Sequence, residues 1–140
     1  MPYWVSRLFT ALHVYGAFMW IGGLLALTLF LAAIKAEPDV AARTRLGKYA
    51  RRIAMLPDIG ATLAILFGLH SLFALKLYKA PYMHIKLTLV VVLIALHGLL
   101  RVKTKRAAEG ADATLPGFVP ALLSLVALGI LAAVFIKLPL

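Results

Sequence analysis

Four apolar segments constrain this chain more than any other feature. They run over about residues 4–34, 53–77, 82–101 and 117–136. Each has the ~20 residues a helix needs to cross a ~30 Å hydrocarbon layer. A backbone in lipid has to satisfy its own N–H and C=O groups, so segments of this kind form helices. The predicted fold is therefore all-α: a polytopic membrane protein, one domain of 140 residues folded as a four-transmembrane-helix bundle. A hydrophobic content of 64% and a mean hydropathy of +0.98 exclude an ordinary soluble globule. The first segment is too long for the apolar region of a signal peptide and has no small-residue cleavage site, so it is predicted to be a retained span.

Charge gives the bundle an orientation. The net charge is +10, but the basic residues sit at the ends of the apolar segments. That pattern orients a membrane protein in the bilayer and makes nucleic acid an unsuitable partner. The loop Lys35–Arg52 holds six cations: Lys35, Arg43, Arg45, Lys48, Arg51 and Arg52. The loop Arg101–Pro116 holds four, Arg101, Lys103, Lys105 and Arg106, and then becomes an Ala/Gly linker. The opposite side has Arg7, Lys76, Lys79 and Lys137, with Lys86 just inside a span. The positive-inside rule then predicts both loops in the cytoplasm and both termini outside. There is no cysteine, which excludes disulfides, thiolate metal sites and cysteine nucleophiles.

Ionisable residues within the spans are the candidates for function, because each costs roughly 2.5–3.5 kcal/mol to insert at a helix centre. From Lys86 to His97 a helix advances by about 20° net, so the two share a face, about 16 Å apart along the axis; His84 points away. On the first span His13, Gly16, Ala17 and Trp20 share a face, and such small residues admit a planar group or another helix. Imidazoles from facing helices of a bundle can hold a haem iron. His13 and His70 match best in depth, whereas His97 lies deeper and pairs with His13 only if the helices tilt or shift. Asp58 is the single acid within a span and is read as a proton relay or as a counter-ion. Lys86 and Arg52 either snorkel to their interfaces or grip an anionic group. Trp20 and Tyr82 suit packing or the interfacial belt. No Gly-rich phosphate loop, catalytic triad or paired-carboxylate site is present.

Several stretches taken in order resemble HemJ, the membrane protoporphyrinogen IX oxidase of many bacteria. Ala11-Leu12-His13 followed by Trp20, Gly23 and Leu24 is similar to its first helix. Arg51-Arg52-Ile53, Met55, Pro57, Thr62 and Gly68-Leu69 follow its second. Met83-His84-Ile85-Lys86-Leu87 and His97 resemble its third, and Val119-Pro120 with Ile136-Lys137 its fourth. Two segments depart from the family pattern. A Met-Glu-Arg-Arg-like segment reads Tyr49-Ala50-Arg51-Arg52, and an Asn-Glu-Val-Pro-like entry reads Gly117-Phe118-Val119-Pro120.

The resemblance implies a multi-pass protein of the bacterial cytoplasmic (inner) membrane that binds haem b. It implies oxidation of protoporphyrinogen IX to protoporphyrin IX, with electrons passing via haem towards quinone. His13 would be one axial ligand and His97 or His70 the other. Trp20 would contact the cofactor, and Lys86 and Arg52 would bind propionates. Trp20-Ile21-Gly22-Gly23-Leu24 also resembles the related CopD family, which supplies an alternative: copper handled by His13, His70 and His84. A third reading is a non-catalytic subunit of a larger membrane complex, and assembly as a homo-oligomer is also open.

Overall fold

The computed structural model describes residues 1–136. The chain forms α1 (Tyr3–Ala36), α2 (Val40–Ile53), α3 (Met55–Ala74), a 3-10 turn (Leu77–Lys79), α4 (Pro81–Ala108) and α5 (Val119–Ile136). No strand occurs among the described residues. Three stretches are long and apolar enough to cross a membrane: Tyr3–Ala36, Val40–Ala74 (α2 and α3 together) and Pro81–Ala108. Val119–Phe135 is apolar but shorter. The architecture is that of a helical membrane protein. Lys137, expected among the outer cations, lies outside the described residues.

The structure corrects two expected loops. Residues 40–52, expected within the first loop, belong to α2. Asp39 caps it, accepting a hydrogen bond from the Ala42 amide at 3.0 Å. The helix is amphipathic. Gly47 and Ala50 are buried while Arg45, Lys48, Arg51 and Arg52 are exposed, so the cations stay solvated although the segment is helical. Pro57 lacks an N–H and its ring opposes the carbonyl four residues back, so the chain breaks at Ala54 before α3 begins. The second correction is α4, which continues beyond Arg101 to Ala108 on a run of good helix formers. It stops at Gly110, whose φ of +75° is the left-handed conformation glycine accepts. The Ala111 amide donates to the Arg106 carbonyl at 2.9 Å and closes the end.

The seam between α1 and α3 is built from small residues. A Cβ placed on Gly16 would lie 2.6 Å from the Ala64 nitrogen and 2.8 Å from the Gly60 carbonyl oxygen. One on Gly60 would run into the Trp20 backbone. Lipid is as apolar as leucine, so such a seam is held by close van der Waals contact rather than by escape from water. Trp20, Leu24, Leu27 and Leu31 continue it on α1. Leu93, Leu96 and Leu100 of α4 and Val119, Leu123 and Val126 of α5 complete the core. Phe18, Leu29, Leu66, Val91, Leu125 and Phe135 are exposed, as outward residues suited to a lipid surround would be.

Candidate functional site

The α1–α3 seam positions two polar clusters. The first surrounds His13, which is half-buried. Its Nδ1–H donates to the Ala64 carbonyl of α3 at 2.7 Å. A carbonyl cannot donate, so this bond assigns the ring proton to Nδ1 and leaves the Nε2 lone pair free. Gly68, one turn further along α3, makes the approach possible: a Cβ there would lie 2.8 Å from His13 Cε1 and 2.9 Å from Nδ1. Lys86 of α4 is close enough for its charge to bear on this imidazole. Lys86 is only partly exposed and has no acid within ion-pair distance among the described residues.

The second cluster lies about two turns along α1, roughly 10 Å from the first. Buried Trp20 donates its Nε1–H to His97 Nδ1 at 3.0 Å. On the other side of the ring, His97 Nε2–H donates to Asp58 Oδ1 at 2.8 Å. Arg101, one turn after His97, reaches Asp58 Oδ2 at 3.4 Å. A chain of polar groups thus crosses from α1 through α4 to α3 and back to α4. Because Nδ1 accepts from an indole, the imidazole is neutral, with its proton on Nε2 facing the carboxylate. The charged partner of Asp58 in this cluster is Arg101.

No known family, curated protein or solved structure matches the chain.

The remaining candidates are dispersed. His70 is exposed and sets its ring edge-on against Phe9, with centroids 4.7 Å apart, one turn before His13. His84 is exposed on α4. Arg52 is exposed and lies over the Tyr49 ring, 5.8 Å from its centroid. No three acidic or imidazole side chains gather to hold a metal ion among the described residues. A cavity of about 490 Å³ opens at the α2 end of the bundle, lined by Leu31, Ile34, Lys35, Arg43 and the 110–114 segment, away from His13.

The donor set around His13 fits a haem iron in one respect: a half-buried imidazole is oriented by a carbonyl bond through Nδ1 and presents a bare Nε2. His97 does not offer the same, since both its nitrogens are engaged. Sequence reasoning did not find the partners that the structure brings to these residues. Ala64 and Gly68 carry no chemical signal. Arg101, assigned to a loop, stands four residues after His97, a spacing that puts both on one helical face.

Proposed function

We propose that the protein is a haem b-binding membrane protein, HemJ-like, in the bacterial cytoplasmic membrane. It has four spans, both termini outside and the α2 and 109–118 segments in the cytoplasm. The observation that carries the reading is the His13–Ala64 hydrogen bond at 2.7 Å, which leaves Nε2 ready to ligate. The iron is assigned to His13, and His97 is left out of the ligand set because Trp20 and Asp58 occupy its ring. Haem, when bound, supplies one-electron transfer; the protein supplies orientation and charge. Ala64 holds the His13 ring in one tautomer and Gly68 leaves room for it. Lys86 offers an ammonium to a propionate or to a substrate carboxylate, and the low-dielectric surroundings strengthen that pairing. The resemblance to HemJ extends this to oxidation of protoporphyrinogen IX, with quinone as electron acceptor.

The test is an absorption spectrum of the purified protein, oxidised and then reduced with dithionite. A sharp reduced α-band that His13→Ala removes supports the proposal. A folded protein with no haem band, expressed in a haem-replete host, refutes it. Complementation of a protoporphyrinogen-oxidase-deficient strain tests the activity separately from haem binding.

A further inference from the structure

The Trp20–His97–Asp58 chain has a property that haem at His13 does not use. His97 Nδ1 accepts a proton bond from Trp20, and only a nitrogen without hydrogen can do so. An imidazolium carries hydrogen on both nitrogens. Proton uptake by His97 therefore puts N–H against N–H at the Trp20 contact and breaks that bond, while the Nε2–H···Asp58 contact survives and gains a full charge pair. The Trp20–His97 bond is the one side-chain hydrogen bond between α1 and α4 among the described residues. We propose that His97 is a proton-binding site inside the bundle, and that a proton arriving at Nδ1 releases Trp20 and unlatches α1 from α4.

The surroundings suit this role. The α3 helix contributes the Asp58 carboxylate, and α4 itself contributes Arg101, which reaches the other carboxylate oxygen at 3.4 Å. The α1 helix brings no titratable group to the ring besides the indole contact; His13 is two turns away. The α2 helix ends in Arg51 and Arg52, both exposed and neither within ion-pair distance of Asp58. The α5 helix has no titratable residue over Val119–Phe135. Asp58 and Arg101 are both partly exposed, with side-chain exposures of 36% and 43%, so the cluster is not sealed within the protein. The site stands on this geometry whether or not His13 binds haem.

Tryptophan fluorescence reads the latch directly, because an imidazolium quenches a neighbouring indole. The chain has two tryptophans, and Trp4 is exposed, so Trp4→Phe leaves Trp20 as the only emitter. In haem-free full-length protein in nanodiscs, Trp20 emission is expected to fall along a one-proton curve as the medium is acidified. His97→Gln is expected to give a flat profile at unchanged helical content, since a glutamine amide can both accept and donate but does not titrate. Asp58→Asn is expected to displace the midpoint, because an amide lacks the charge that holds an imidazolium. A flat profile in the Trp4→Phe protein overturns the proposal, as does the same curve persisting in His97→Gln. An unmoved midpoint in Asp58→Asn removes Asp58 from the site.

Discussion

Three residues separate ligand, positioning and charge at the first cluster. His13→Ala removes Nε2 and should abolish most haem occupancy, whereas His84→Ala, on an exposed face, should leave it unchanged; pyridine haemochrome assay on purified protein compares them. Stoichiometric haem in a folded His13→Ala protein would remove His13 as ligand. Gly68→Val keeps the ligand but drives a side chain into the His13 ring, where even a Cβ would lie 2.8 Å from Cε1. It should lower haem occupancy towards the His13→Ala level while the helix content persists. Lys86→Met distinguishes an anchor from a grip. A lysine that only snorkels can be replaced at little cost. One that pairs with a buried carboxylate leaves it uncompensated, at about 3–5 kcal/mol, or a hundredfold or more in binding at ~1.4 kcal/mol per tenfold. Haem or porphyrin titration should show that weakening in Lys86→Met, with partial recovery in Lys86→Arg; equal affinities would mean that Lys86 is an anchor.

At the scale of elements, the α1–α3 seam and the segment before α5 make separate predictions. Gly60→Leu places a side chain where the Trp20 backbone already lies. Overpacking of this kind costs about 1–3 kcal/mol or more, so thermal unfolding in detergent should shift to a clearly lower temperature. A Tm equal to that of the unmutated protein would mean that the helices separate easily there. Within the segment 109–118, residues 112–114 are tied into a local turn. The carboxylate of Asp112 accepts from the Thr114 amide at 3.0 Å and from its hydroxyl at 2.6 Å. These bonds favour the ionised form and hold the Asp112 carboxyl below its ordinary pKa. A depressed folded-state pKa means that the turn's stabilisation is complete above the ordinary carboxylate range, near pH 4, and is lost as pH falls through the lower folded value. Hydrogen exchange at the Thr114 amide should therefore be protected at neutral pH and lose protection only in acid below that range. Asp112→Asn should weaken the protection at neutral pH.

At the scale of the whole molecule, orientation rests on charge. Because the chain has no cysteine, single cysteines can be introduced without a background. An impermeant thiol reagent applied to intact cells should label a cysteine at Lys79 and not one at Ala41. The reverse pattern would invert the proposed topology. The α2 helix makes this a sharper test than an irregular loop would. Its cations are on an exposed face while Gly47 and Ala50 pack inward, so the element belongs to the bundle as well as to the charged side.

The sequence by itself determined the class of fold. Apolar runs of membrane length have few other ways to satisfy their backbone, so helices over about 4–34, 53–77 and 82–101 were legible, as was the shared face of His13, Gly16 and Trp20. Helix ends were less legible. Residues 40–52 and 102–108 are polar and read as loops, yet capping by Asp39 and the inward faces of Gly47, Thr104 and Ala107 made them helices. Only the tertiary structure decided what each ionisable residue meets. Helical periodicity gives a direction on one helix but neither the offset nor the rotation of its neighbour. Those are set by how closely Gly16 and Gly60 allow α1 and α3 to approach. That approach brings His13 to the Ala64 carbonyl, and α4 sets His97 between Trp20 and Asp58. His13 and His97 therefore stand in different surroundings, one with a free nitrogen and the other with both engaged.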